Sequence, residues 1–302
     1  MVMKTKDLLM LLGLAALWGA SFLFVRIASP VLGPFVTSFG RVAVAAAVLI
    51  SYVRATGVTL NLRVNWRAFT MMGLTNAALP FTLFAIALLN LNASYSSILN
   101  ATSAFFTALV AAVWLKEPMT VRRLLGIALG LTGVFVLIGY NPVPLSPAAI
   151  VSVGLILLAT FSYGIAAVFA RQASKTIAPT VFATGQQVAA TVLTAPLALL
   201  TLPSAKSPTS AVLFAVLGVG VLCTALAYLL YYRLINNIGP TRALTVTFLI
   251  PVFGIAWGAL FLGEAITPNM LIGFAIILAG MALVLGLVPA RRRSSTFHQQ
   301  NV

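Results

Sequence analysis

The chain contains the same pattern twice. Trp114-Leu115-Lys116-Glu117-Pro118-Met119-Thr120, followed by Gly126 and Gly133, returns as Phe261-Leu262-Gly263-Glu264-Ala265-Ile266-Thr267, followed by Gly273 and Gly280. The Leu, Glu, Thr and both Gly recur at one offset, the 147 residues that separate Glu117 from Glu264. Nearer the start, Gly19, Phe24, Arg26, Ser29 and Pro34 meet Gly164, Phe169, Arg171, Ser174 and Pro179 at an offset of 145, the separation of Gly19 from Gly164. Unrelated halves would not keep this register. The fold must therefore be made of two copies of one unit, which in an apolar chain points to a transporter built from repeats.

Charged residues are only 7% of the chain, apolar ones are 61%, and the mean hydropathy is +1.10. A soluble domain carries about 25% charged residues, so the chain is expected to be all-α and embedded in a lipid bilayer. Ten apolar segments are readable, near 7–28, 34–54, 66–89, 93–115, 121–140, 147–171, 179–202, 208–232, 240–262 and 268–289. Each approaches the roughly 20 residues that carry a helix across the hydrocarbon. The first is longer than a signal-peptide core and pairs with the sixth in the repeat, so it is expected to be retained as a helix. Residues 1–144 form the first five-helix repeat, 145–290 the second, and 291–302 a polar, disordered basic tail.

Charge sets the expected orientation. With alternating helices, one side collects Lys4, Lys6, Arg54, Arg63, Arg67, Lys116, Arg122, Arg123, Arg171, Lys175, Arg233, Arg242 and Arg291 to Arg293. Basic residues accumulate on the cytoplasmic side, which places both termini there. The net charge of +15 follows this topology and does not indicate a nucleic-acid partner. Five spans per repeat is an odd number, so the second copy enters from the other face and the repeats are inverted. Glu117 is then expected at the cytoplasmic face and Glu264 at the outer one.

These residues together resemble the EamA family of the drug/metabolite transporter superfamily. The resemblance rests on the Leu17-Trp18-Gly19-Ala20-Ser21-Phe22 run, the paired Leu-x-Glu-x-x-Thr segments and the five-helix inverted repeats, over residues 7–289. It implies export or exchange of small organic metabolites, with amino-acid exporters prominent among them. The family usually carries a Pro in helices 4 and 9. Pro251 fits helix 9, but its register partner in helix 4 is Ala104, so the bend expected of helix 9 is not assured for helix 4.

Candidate substrate-binding residues are Trp18, Arg41, Asn76, Phe81, Asn100, Ser103, Tyr163, Gln186, Tyr228 and Tyr232. An arginine inside a span is costly, so Arg41 reads either as a counter-charge for a substrate carboxylate or as an architectural bond to the bundle. Its repeat partner is Gln186, followed by Gln187. Ser96, Asn100, Ser103 and Thr107 share one stripe of helix 4; packing explains Ser96 and Thr107, whereas Asn100 suits a cavity wall. Trp18 with Tyr163, and Phe81 with Tyr228, are matched aromatics near mid-depth, followed by Tyr231 and Tyr232. They read as core packing or as a cradle for an apolar solute. Gly126-x-x-x-Gly130 and Gly254-x-x-x-Gly258 permit close helix contact, within the chain or between copies. The protein is expected to be monomeric, with a dimer left open.

The three acidic residues, Asp7, Glu117 and Glu264, stand at span ends, and His298 is in the tail. No embedded carboxylate or histidine offers a proton relay, so facilitated diffusion or exchange is expected. The same absence leaves an intramembrane enzyme without a general base, and no metal or cofactor site is expected. Cys223 is the only cysteine. A channel would be expected to show charge rings or a re-entrant filter, and neither is visible. An exporter of amphipathic drugs remains an alternative to amino acids.

Overall fold

The computed structural model describes residues 4–139, 146–173 and 177–287, and every regular element among them is helical. The expected tail at 291–302 and Lys175 lie outside the described residues. The helices are α1 Thr5–Leu32, α2 Pro34–Ala55, α3 Leu62–Ala87, α4 Ala93–Trp114, α5 Val121–Gly139, α6 Pro147–Ala173, α7 Pro179–Thr201, α8 Ser210–Ile238, α9 Val246–Leu262 and α10 Pro268–Val284. The first eight are long and apolar enough to cross a membrane. α9 and α10 are equally apolar but have 17 residues each, about 26 Å of helix. The expected ninth span at 240–262 is shorter because a turn at Leu244 and Thr245 separates α9 from the one-turn helix Pro240–Ala243.

Local chemistry starts these helices. Pro34 and Pro179 open α2 and α7, where a missing N–H costs nothing, and Gly33 turns the chain into α2 at φ 78°. The recurrent Thr of the repeat is a helix cap in both copies. Thr120 Oγ1 accepts from the Arg123 N–H at 3.3 Å, and Thr267 Oγ1 accepts from the Met270 N–H at 3.3 Å, each satisfying a donor that the helix leaves unpaired.

The recurrent glycines bring helices together. A Cβ at Gly126 would lie 2.7 Å from the Gly280 carbonyl oxygen, and one at Gly133 would lie 2.9 Å from that of Gly273. Backbone thus meets backbone along α5 and α10, which run antiparallel in this contact. The pairing is reciprocal, since Gly126 is the register partner of Gly273, and Gly133 that of Gly280.

The same reciprocity recurs elsewhere. Gly19 of α1 packs on Phe253 and Gly254 of α9, while its partner Gly164 of α6 packs on Phe106 and Thr107 of α4. Gly40 meets Val216, and Gly185 meets Phe69. Gly220 meets Val44 and the Arg41 backbone; Gly73 meets Ala189 and the Gln186 backbone. In every pair, the touched residues are themselves register partners. Both Gly-x-x-x-Gly patterns are used inside the chain: Gly130 against Phe105, Gly254 against Ser97 and Gly258 against Ser94 and Glu264.

Helix 4 breaks without the proline whose absence left its bend open. α4 is interrupted by a turn at Ala101 and Thr102. The Thr102 hydroxyl bonds the Leu99 carbonyl at 2.7 Å and lies 3.0 Å from Thr160 Oγ1, so a threonine stabilises the irregular turn. Pro251 sits inside α9 without interrupting it. Gly280→Val should separate α5 from α10 and cost about 1–3 kcal/mol or more of stability. Gly154→Ala, with nothing within 4 Å of the added carbon, should leave the melting temperature in detergent unchanged or slightly raised.

Candidate substrate site

α3 and α8 each widen into π turns, over Leu74–Ala78 and Gly218–Leu226. The two stretches coincide in the repeat register, because 74–78 maps onto 221–225. In α3 the cause is legible: Pro80 carries no N–H, so the ladder below it opens. The Ser162 hydroxyl of α6 then donates to the Thr75 carbonyl at 2.7 Å. In α8, which has no proline there, Thr224 Oγ1 donates to the Val219 carbonyl at 2.7 Å. Widened turns of this kind re-aim side chains and are frequent at functional sites.

These turns present polar groups to α2 and α7. Arg41 of α2 is buried, 8% exposed. Its Nε donates to Thr224 Oγ1 at 3.1 Å, and its guanidinium carbon stands 3.5 Å from the Phe81 ring centroid. Asn76 Nδ2 donates to Gln186 Oε1 at 3.1 Å and to the Tyr228 hydroxyl oxygen at 3.0 Å. The Gln186 Nε2 and both amide atoms of Gln187 are fully enclosed and have no hydrogen-bond partner. The cluster draws on α2 and α3 from the first half and α7 and α8 from the second.

Aromatic rings surround this cluster. Tyr163 is half-buried and stacks on Phe84 with centroids 6.2 Å apart; it is also a near neighbour of Arg41, as are Tyr228 and Cys223. Tyr228 stacks on Tyr232 at 6.2 Å, Tyr232 adjoins Tyr231 at 5.8 Å, and Tyr231 adjoins Trp18 at 5.2 Å. Trp18 and the three tyrosines of α8 are half-buried. Asn100 and Ser103 are half-buried on α4, either side of its interruption, and no described hydrogen bond joins their side chains to the cluster. Ser96 and Thr107 spend their hydroxyls on their own helix, at Asn92 and Ser103.

Of the ten candidates, Arg41 contacts Phe81, and Asn76 joins Gln186 to Tyr228 in a second set near it, while Tyr163, Tyr232 and Trp18 extend the group. Sequence reasoning missed Thr224, whose role depends on a π turn that periodicity does not reveal. Two apolar grooves, of about 170 Å³ beside Val36 and Ala198 and about 350 Å³ beside Phe24 and Phe214, lie on the outer faces of the bundle. Neither touches the polar cluster, and neither offers a group that could orient a ligand. Among the described residues, no three His, Cys, Asp or Glu side chains gather.

The carboxylates are committed at the helix ends. Glu264 accepts from the Ala93 N–H at 2.7 Å, the Ser94 N–H at 2.9 Å and the Ser94 hydroxyl at 2.5 Å, capping the start of α4. Glu117, beyond the far end of α4, takes Arg171 at 2.8 Å and Arg123 at 3.2 Å. The two register-matched glutamates therefore stand at opposite ends of one helix. Asp7 accepts from Asn237 Nδ2 at 2.8 Å. Arg26 donates to the Leu88 carbonyl and, at 3.0 Å, to that of Leu89, at the end of α3, where a cation suits the helix terminus.

Comparison with known proteins agrees with this architecture. The EamA-like transporter family model matches twice, over residues 5–139 and 150–286, and the chain belongs to that family. An uncharacterized transporter of Archaeoglobus fulgidus is 26% identical over 93% of this chain and 98% of its own length. A probable amino-acid metabolite efflux pump of Salmonella typhimurium is 27% identical over 92% and 94%, and one of Escherichia coli is 25% identical over 94% and 97%. One crystal structure, 20% identical, superposes with a TM-score of 0.67 over 94% of this chain and 98% of that one, a likeness of fold alone. The protein is thus a multi-pass membrane transporter.

The Arg171 hydrogen bond holds the Glu117 carboxyl below the usual carboxylate range, against the opposing effect of burial and with Arg123 adding to it. A lowered folded value means that the pair's stabilisation is complete above the ordinary value of about 4.3 and is lost as pH falls through the lowered one. The melting difference between wild type and Glu117→Gln should therefore stay constant from neutral pH to about 5 and shrink below about 4. Solvent screening keeps that difference small.

Proposed function

We propose that this protein is a secondary transporter of small organic metabolites working by alternating access, with residues 1–144 and 145–290 as two inverted five-helix repeats. The observation that carries the reading is the buried polar cluster of Arg41, Asn76, Gln186, Thr224 and Tyr228, assembled from both halves. Reciprocal glycine contacts support an in-plane pseudo-two-fold, as do the matched glutamates at opposite ends of α4. Such a relation gives one central site two equivalent exits. The basic loops favour cytoplasmic termini in a bacterial plasma membrane.

Amino acids, above all those with larger apolar or aromatic side chains, are the favoured substrates. The ring group of Trp18, Tyr163, Tyr228, Tyr231 and Tyr232 would hold an apolar body, and two relatives are named as amino-acid metabolite efflux pumps. Lipophilic cationic drugs fit less well, because Arg41 would repel them. Transport runs down the solute gradient without a proton relay. Purified protein in liposomes loaded with unlabelled phenylalanine should take up labelled phenylalanine at equal inside and outside pH, with or without a protonophore. Trp18→Ala and Tyr163→Ala should slow large side chains more than small ones. Abolition of counterflow by the protonophore would overturn gradient-driven exchange, and transport of a permanent cation with no amino acid would overturn the substrate class.

A further inference from the structure

The chain has three acidic residues in all, and each is committed elsewhere: Asp7 to Asn237, Glu117 to Arg123 and Arg171, and Glu264 to the start of α4. Arg41 has two near partners, a threonine hydroxyl and a phenyl face, both uncharged. No described residue accepts from its two terminal nitrogens. Beside it, the Asn76–Gln186–Tyr228 cluster leaves Gln186 Nε2 unpartnered, and the neighbouring Gln187 leaves its whole amide so. A guanidinium out of water needs a counter-charge, and this chain has none to give. Unused donors outnumber unused acceptors around it.

We propose that Arg41 is a counter-ion reserved for a substrate carboxylate, and that the site therefore selects monocarboxylates with an apolar or aromatic body and no ammonium group. The inference rests on the transporter reading; it keeps the apolar body favoured there but ranks the amino acid behind the same body without its ammonium group. A monocarboxylate neutralises the site on entry. A zwitterion brings a second charge for which the site holds no carboxylate, and only ring faces such as Trp18 and Tyr231 can receive it. An amine lacking the carboxylate meets like charge. The order is acid first, zwitterion second, amine last.

Counterflow in liposomes with N-acetylphenylalanine, phenylpyruvate, phenylalanine and phenethylamine tests this order. Both acids should half-saturate at roughly tenfold lower concentration than phenylalanine, about the effect of one charge-assisted hydrogen bond, and phenethylamine should not exchange. Arg41→Lys should keep the order, whereas Arg41→Gln should abolish the preference for the acids. Thermal shift provides a second readout, because N-acetylphenylalanine should stabilise the wild type and not Arg41→Gln. If that variant fails to fold, Thr224→Val, which removes one partner but keeps the charge, should weaken all acids and preserve their rank. Equal half-saturation for acid and zwitterion would overturn the charge selection alone, as would a preference that survives Arg41→Gln. Exchange of none of the probes, with no thermal shift, would overturn the aromatic-substrate reading of the proposed function with it.

A different observation carries a second inference. At the Glu264 end, Ser97 is enclosed against Gly254, and Ser94 bonds Glu264. At the Glu117 end, Leu244, the register partner of Ser97, is 42% exposed. Pro240, the partner of Ala93, has no N–H for Glu117 to accept, and Glu117 takes arginines instead. We infer that the structure is latched at the Glu264 end and open at the other, and that the opposite state exchanges the two arrangements. Leu244→Cys should react with an impermeant maleimide and Ser97→Cys should not, each in a Cys223→Ala background. Glu264→Ala should raise labelling at position 97 by up to about tenfold, as loss of a charged cap would, and lower it at 244 by a smaller factor, because the state that exposes 244 starts as the major one. Glu264→Gln should do so more weakly. A rise at both positions, or no change at either, would assign Glu264 to local capping alone.

Discussion

In hydrocarbon an apolar side chain gains nothing by leaving lipid for protein, so helices must be held by close packing and by polar bonds. The approach of α5 to α10 through Gly126, Gly133, Gly273 and Gly280 is the contact on which the arrangement depends. A Cβ at any of the four would come within 2.6–3.0 Å of a backbone carbonyl, which cannot turn aside as a side chain can. Because each glycine meets the partner of the other, one small patch used twice makes a self-complementary contact, the same economy that a two-fold dimer interface has.

Reciprocity extends from that contact to the polar interior. Gly73 against the Gln186 backbone and Gly220 against the Arg41 backbone bring the π turns of α3 and α8 against α7 and α2. There the halves stop being alike. One copy supplies Arg41 where the other supplies Gln186, and Asn76 stands where its counterpart is Cys223. The scaffold keeps the duplication while the site has lost it, so one interior holds a single charge with a single orientation.

The repeated Leu-x-Glu-x-x-Thr pattern divides the same way. Both threonines cap the helix that follows, at the same distance, because the backbone need is identical. The glutamates are used differently. Glu264 meets free N–H groups at the start of α4, whereas Glu117 is met by Arg171 and Arg123. Identical side chains at matched positions thus end in unlike bonds.

The sequence alone determined the membrane class, the two-fold duplication, the helix register and the family. All of these depend on composition and on spacing, which survive without knowledge of contacts. Arg41, Phe81 and Tyr228 were legible as candidates because a charge or a matched ring inside an apolar run is conspicuous. What only the tertiary structure decided was the company they keep. Thr224 reaches Arg41, and Asn76 joins Gln186 to Tyr228, because π turns shift the face that α8 and α3 present, and a five-residue hydrogen-bond step leaves no mark on hydrophobic periodicity. The interruption of α4 was hidden for a related reason: Thr102 makes it by bonding Leu99 and facing Thr160, a partner 58 residues away. Pro251 leaves α9 unbroken whereas Thr102 sits at a break, so residue type alone does not place an interruption; the second hydroxyl, from α6, is there only because the fold brings it.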